Sequence, residues 1–417
     1  MPSQPAASAA SETPRHATPA PSLGLAFLGR LVFEGDRLAG VWDELIARLT
    51  ADPTDAGAMM DLSTLLQMRG DREGGLKLQA SALAQNRCYR TTHGAGRGLK
   101  ILAFVTAGDL MTNTPLDFLL EGSEIELTTW YVDGAAPSPA EVPEHDIAFL
   151  AISQADDGSA ALAQLAGAFD AWPRPVMNGR ADRIAALSRD GVADSFAGHP
   201  LVVCPATRRV GRDALEAVAG GQPLDALHAD LRYPVIVRPI GSHAGNGLEK
   251  LDGAPQLAAY LQAHLERDFF VASFLDYSGA DGLYRKLRVV FVGGRPFVAH
   301  MAVSARWMVH YLNADMGEAS HRIEEAQMMA SFDEGFAARH AQAFAALSET
   351  FGLDYFGIDC AETQDGRLVV FEADVAMIVH AMDSAEVYPY KKPAMAKLFA
   401  GFLAGLSASV LRRRLAA

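Results

Sequence analysis

Residues Leu353 to Met377, LDYFGIDCAETQDGRLVVFEADVAM, decide how the chain is read. Two short runs rich in β-branched and aromatic residues, YFGIDCA and RLVVFEA, flank Asp365-Gly366, a dipeptide that favours a two-residue type I′ hairpin turn. With Gln364 paired to Arg367, Asp359 falls opposite Glu372. Asp374, two residues further on, shares that face because side chains alternate along a strand. The other face is expected to hold Ile358, Cys360, Val369 and Phe371 and to be buried. Three carboxylates on one face of a hairpin repel one another. A hard cation with oxygen ligands relieves that repulsion, and Mg²⁺ is the usual one beside phosphates. The other reading is a solvated acidic face.

Upstream sequence supplies cations to go with these carboxylates. YPVIVRPIGSHAGNGLEKL places Arg238 on a strand that runs into a loop with glycines at 241, 245 and 247. Glycines let backbone N–H groups approach phosphate oxygens. The loop lacks the GKS or GKT and the following helix of a P-loop, and no GxGxxG follows the strand LKILAFV. LYRKLRVVFVGGRPFVAHMAV reads as a hairpin about Gly293-Gly294, with Lys286 and Arg288 on one face. The segment from Arg306 to Asn313 mixes aromatic, basic and amide side chains. His300, His310 and His380 show no HExxH-like spacing, so they are not read as metal ligands.

Composition narrows the classes. Half of the 417 residues are hydrophobic and 21% are charged, a normal globular balance. The net charge of −14 argues against binding a nucleic-acid backbone. No uninterrupted apolar run reaches bilayer-spanning length, and the Pro-, Ala- and Ser-rich start lacks the apolar core of a signal peptide. Three scattered cysteines make neither a disulfide framework nor a zinc site. A cytoplasmic protein without membrane or nucleic-acid partners is expected.

The expected organisation is a disordered tail over 1–22, a helical region over 23–98, an α/β layer over 99–210 and two further lobes over 211–275 and 276–417. The helices of 23–98 break at Asp52-Pro53 and Gly70-Asp71, with Gly75 and Ala82 where a tetratricopeptide helix pair packs closely. One such unit is too short for a solenoid. It is expected to cap the rest of the protein, or else to offer a surface to a protein partner. Strands alternating with helices from Leu99 onward predict a largely parallel sheet.

In this order, from about residue 99 to 405, the motifs PVMNG, PATRRV, YPVIVRPIGSHAGNG, FFVASFL, YRKLRVVFVGG, GIDC and FEAD resemble the ATP-grasp superfamily. The RimK-like and glutathione-synthetase-like carboxylate–amine ligases are the nearest part of it, and the helical leader resembles their tetratricopeptide-containing subgroup. The resemblance implies an α/β (α+β) ATP-grasp fold with a pre-grasp domain, and ATP with Mg²⁺ or Mn²⁺ as cofactors. It implies metal ligation by Asp359, Glu372 and Asp374. It implies nucleotide contacts from Arg238, Ser242, His243, Gly245, Asn246, Gly247, Lys286 and Arg288, and from the hinge Ser273, Phe274 and Leu275. Arg306 falls where such enzymes steady the reacting acyl group. Trp307, His310, Tyr311 and Asn313 are expected to line a pocket for a polar, amino-acid-like substrate.

The implied reaction joins a small-molecule or peptide carboxylate to an amine, or to a thiol, through an acylphosphate, with release of ADP and phosphate. Ligases of this kind are frequently dimers or tetramers, so the resemblance allows a homodimer and leaves the oligomeric state open. This chain departs from the family at Asp374, where Asn is usual, and at Arg238, where Lys is usual. The hinge also lacks the frequent acidic residue. These departures motivate the alternative of a non-catalytic nucleotide-binding scaffold that works through its helical region.

Overall fold

The protein, described by a computed structural model over residues 17–35, 37–154, 156–242, 245–310 and 314–416, is a mixed α/β chain built on three sheets. The first has Lys100–Val105 at its centre. Glu126–Tyr131 lies on one side, with Ile147–Leu150 and then Val176–Met177 on the other, all parallel. Ile101 to Val105 are all buried, as a continuous apolar run requires when both sheet faces are covered.

The edge of this sheet departs from the helical reading of 23–98. Cys88–Thr92 pairs antiparallel with Glu126–Tyr131, and Ala20–Pro21 adds alongside it. CYRTT carries an aromatic and two β-branched residues, and these favour a strand once a sheet edge is at hand. Before it come helices Leu25–Glu34, Leu38–Ala51, Ala56–Met68 and Arg72–Gln85. Asp55 and Asp71 cap the last two, each side chain accepting from a backbone N–H three residues on at 2.9 Å. These two helices form a close hairpin because Gly75 has no side chain. A Cβ there would lie 2.4 Å from Gln67 Cγ.

The run HPLVVCPATRRV holds two strands. Val202–Val203 pairs parallel with Leu368-Val369, whereas Thr207–Gly211 pairs with Asp268–Ser273 in a different sheet. Pro205 lies between them, and the chain changes sheet there. The second sheet is antiparallel, ordered Glu249–Leu251, Val235–Pro239, Asp268–Ser273, Thr207–Gly211. It packs on helices Arg212–Ala219 and Ala254–Ala263 through Leu215, Val218, Leu257 and Leu261.

The third sheet runs Arg295–Ser304, Tyr284–Val292, Tyr355–Glu362, Leu368–Asp374, Val202–Val203. Its turn differs from the predicted one. Thr363, not Gln364, faces Arg367, its N–H donating to the Arg367 carbonyl at 3.0 Å. The loop is therefore three residues, Gln364 to Gly366, with Gly366 at φ +83°. A type I turn closed by a left-handed glycine is the usual three-residue solution. A bulge at Phe371 then absorbs the offset, so Asp359 still faces Glu372. The bulge also changes which residues share a face. Val370 joins Ile358 and Cys360 in the core, and Val369 and Phe371 turn to the other side, against Tyr277.

The first and third sheets share a core. Phe149 meets Tyr355 and Phe402, with ring centroids 6.0 and 6.1 Å apart. Asn178 of the PVMNG run, at φ +54°, donates to the Tyr355 carbonyl and accepts from its N–H at 2.7 and 2.9 Å. The last helix, Lys391–Ala416, holds no uninterrupted apolar run of bilayer-spanning length, yet an apolar stretch within Lys391–Leu415 has a mean hydropathy of 1.6 and is long and apolar enough to cross a membrane by length and composition. Its Met395, Leu398, Phe402, Leu406 and Val410 are buried in the protein core, and 28% of that stretch is buried in all.

Candidate active site

Four side chains form a row across four adjacent strands of the third sheet. His300 pairs with Arg288, Arg288 with Asp359, and Asp359 with Glu372, each directly opposite the next. Paired residues share a face, so the row is a continuous polar line. A bulge adjoins it twice, between Arg288 and Val289 and between Asp359 and Cys360. Bulges redirect side chains without breaking a sheet. Here the first one brings His300, rather than Ala299, opposite Arg288.

The row sets one cation, Arg288, beside two neighbouring carboxylates, Asp359 and Glu372. Arg288 donates from Nε to Asp359 Oδ1 at 2.8 Å and from Nη2 to Oδ2 at 3.2 Å, while its Nη1 donates to the Ile378 carbonyl. Lys286, two residues before it, places Nζ 2.7 Å from Asp359 Oδ2 and 3.4 Å from the Val309 carbonyl. Burial alone would raise the pKa of Asp359, but Arg288 and Lys286 outweigh it and hold the carboxyl well below its usual range. Glu372 is ion-paired with Arg189. Burial works against its ionisation too, and the Arg189 charge leads the effects that keep its pKa low. Asp374 differs: burial pushes its carboxyl up to about 6, and the neighbouring Glu372 charge adds to this.

Arg189 was not singled out in the sequence. It opens helix Arg189–Ser195, capped by Ser188, whose Oγ accepts from Gly191 N. The only local signal is that cap, which marks a helix start and says nothing of where the first side chain points. His300 was missed for a related reason, since the bulge that aligns it leaves no mark in the residue pattern.

The glycine loop stands nearby. Arg238 is buried, with Nε donating to Ser242 Oγ at 3.1 Å and Nη2 to the Ser242 carbonyl. Burial, then the Arg189 charge, lowers its pKa to about 10. Gly245 and Gly247 have φ of +77° and +64°, and Tyr260 donates its hydroxyl to the Gly247 carbonyl at 2.7 Å. A Cβ at Gly247 would meet Pro239 Cδ at 2.8 Å. Asn246 lies between them in the same turn.

The hinge residues are held by backbone and rings. Ser273 Oγ accepts from Arg232 N and donates to the Asp230 carbonyl, and Phe274 N donates to the Pro234 carbonyl. Lys250 Nζ stands 4.0 Å from the centre of the Phe274 ring, and Trp307 meets that ring edge-on at 5.7 Å. Leu275 packs against the cluster of Tyr277, Ala361 and Val369. Tyr277 donates its hydroxyl to the Trp307 carbonyl at 2.7 Å, which ties the segment after Ser304 to the hinge. His310 lies in the field of the row, its pKa lowered by burial and then by Lys286 and Arg288.

Arg306 is not brought to the row. Its side chain is 63% exposed and pairs with Asp315 at 3.3 Å, because Asp315 is fixed by Ser304 Oγ and Ala305 N at the end of the strand. His243, Tyr311 and Asn313 lie outside the described residues.

The three carboxylates do not fit a metal ion as they are arranged. Asp359 is taken by two cations and Glu372 by a third, and Asp374 Oδ1 accepts from Ala376 N at 3.0 Å. Among the described residues no group of three or more His, Cys, Asp or Glu is set to hold a metal.

No family model matches the chain, and no curated protein matches it. Solved structures do. A RimK-domain ATP-grasp protein from Sphaerobacter thermophilus DSM 20745 is 18% identical, over 72% of this chain and 98% of that one, with a TM-score of 0.40. The D-alanine–D-alanine ligase of Bacillus anthracis complexed with ATP is 12% identical over 77% and 99%, with a TM-score of 0.43. The D-cycloserine synthetase DcsG is 15% identical over 72% and 99%, with a TM-score of 0.38. These are likenesses of layout at low identity. What the site can do follows from its own residues.

Proposed function

We propose that this chain is an ATP-dependent carboxylate–amine ligase with the layout of an ATP-grasp enzyme. In this reading 211–275 is a small lobe carrying the glycine lid, and 276–417 is a large lobe carrying the charged row. The α/β layer of 99–210 precedes them, and the helices before it form a tetratricopeptide-like cap. The observation that carries the reading is the convergence of Arg189, Arg238, Lys286 and Arg288 on one carboxylate-lined face beside a glycine loop. Fixed cations in a water-poor site are what the transfer of a phosphoryl group to an anionic carboxylate needs.

The substrate carboxylate oxygen attacks the γ-phosphorus of ATP, and the bond from that phosphorus to the β-bridging oxygen breaks. ADP leaves with that electron pair. The two anions repel, and Arg238, Lys286 and Arg288 lower that repulsion. An amine nitrogen then attacks the acyl carbon of the acylphosphate. Its C–N bond forms as the C–O bond to phosphate breaks, phosphate leaves with that electron pair, and the proton of the amine passes to the departing phosphate or to water. Arg288, held by Asp359 and the Ile378 carbonyl, takes in this reading the role expected of Arg306, that of facing the developing oxyanion. The loop over Ser242 to Gly247 acts as the lid that keeps water from the acylphosphate. No step is assigned to a protein-bound metal ion, for which the carboxylates are not arranged.

The substrate is a small molecule or peptide bearing a carboxylate, joined to an amine. Trp307 and His310 stand at the edge of its proposed site. The test is ADP release from ATP in the presence of mixed carboxylate and amine pools, with mass spectrometry of the product. Turnover that appears only with both pools supports the ligase. ATP binding without turnover in any pool would instead indicate a nucleotide-binding scaffold.

A further inference from the structure

The row of carboxylates raises the question of what neutralises it, and the chain itself answers. Asp359 has only 5% of its side chain exposed, and both of its oxygens are engaged, by Lys286 at 2.7 Å and by Arg288 at 2.8 and 3.2 Å. Lys286 is anchored a second time at the Val309 carbonyl, and Arg288 at the Ile378 carbonyl. Glu372 Oε2 is paired with Arg189, which arrives from a helix outside the third sheet. Asp359 thus has two cations from strand Tyr284–Val292, and Glu372 has one from helix Arg189–Ser195. A divalent ion seated between Asp359 and Glu372 would stand against three positive side chains, and its attraction to the carboxylates would be offset by that repulsion.

Resting on the reading above that phosphates bind at this face, we propose that Lys286 and Arg189 hold the places on Asp359 and Glu372 that a divalent cation would take. Phosphate anions are then bound directly by fixed side-chain cations, without a protein-held metal ion. Lys286 is the positioning residue of this arrangement. It shares the Asp359 charge with Arg288, so that guanidinium, ammonium and the buried Arg238 present positive charge to the same anion. The ligand class is a polyphosphate, with ATP as the probe.

Calorimetric titration of the full chain with ATP, in EDTA and again in excess Mg²⁺, tests this. The expected dissociation constants differ by less than about threefold, and a loss of more than about tenfold on metal removal overturns the inference. Lys286→Met uncovers Asp359. It is expected to weaken ATP binding in EDTA and to regain it when Mg²⁺ or Mn²⁺ is added, so that a metal requirement appears. A variant that folds and stays indifferent to metal contradicts the place given to Lys286. Mn²⁺ binding followed by electron paramagnetic resonance on the wild-type chain, without nucleotide, gives a second measure that needs no variant. No tight site is expected, and a stoichiometric site lost in Glu372→Gln overturns the inference. If ATP binds under neither condition, the ligase reading fails and the Mn²⁺ titration still decides whether the carboxylates are closed to metal.

Discussion

Arg288 and Asp359 face each other from neighbouring antiparallel strands, joined by two hydrogen bonds of 2.8 and 3.2 Å at the centre of the polar row. A buried ion pair is costly to break from one side, because the partner is left charged and dry. Asp359→Ala leaves Arg288 and Lys286 without their carboxylate. It is expected to destabilise the fold by about 3 kcal/mol, measured by urea unfolding, as well as to abolish ATP turnover. Unchanged stability would mean that solvent reaches the row.

Arg189→Ala removes the cation on Glu372 from outside the sheet. Nucleotide binding is expected to weaken about tenfold, the size of one charge-assisted contact. The folded state should change little, since Arg189 is partly exposed. Glu372→Gln removes the charge that Arg189 faces, so it is expected to lower ADP release by no more than about tenfold while the chain stays folded, with circular dichroism and ADP release as the paired measurements.

Asp61 links the helical region to the start of the chain, accepting from Ser22 Oγ at 2.6 Å and from Leu23 N at 3.0 Å. Burial raises its pKa from 3.8 to about 6, with Asp117 adding to the rise and Ser22, Leu23 and Arg48 opposing it. The folded chain therefore binds a proton more tightly than the unfolded one. The stabilisation is fully present below about pH 4 and is lost as pH rises through about 6, up to about 3 kcal/mol in total. Thermal or urea unfolding between pH 4.5 and 7.5 should show this slope, and Asp61→Asn should flatten it.

Gln79 is buried, and its side-chain amide pairs with both backbone groups of Gly108, accepting at 2.9 Å and donating at 3.0 Å. Gln79→Ala strands those groups at the carboxyl end of the central parallel strand. A loss of about 1–3 kcal/mol is expected, with faster amide exchange at Gly108. The adjacent Arg72–Asp109 pair, largely exposed at the arginine, adds little to hold the loop.

Element types were legible wherever local pattern and final environment agree. The apolar run LKILAFV is the central strand, and Gly293-Gly294 turns a hairpin with both φ values positive. The breaks at Pro53 and Gly70 separate helices where the pattern says they should. CYRTT was misread because the edge that makes it a strand comes from residues 126–131, far along the chain. Nothing local in HPLVVCPATRRV tells its two partner sheets apart.

The site shows the same division. Alternation along LVVFEAD by itself put Glu372 and Asp374 on one face, and the strand YRKLR brought Lys286 and Arg288 together, since both follow from the two-residue period of a strand. Only the tertiary structure decided how those charges are spent. Two bulges set the row from His300 to Glu372, and helix Arg189–Ser195 delivers the Arg189 cation from some 180 residues away in sequence. Arg306, expected at the chemistry, turns instead to Asp315. Which carboxylate meets which cation depends on register shifts and on packing between distant segments, and neither leaves a period in the sequence.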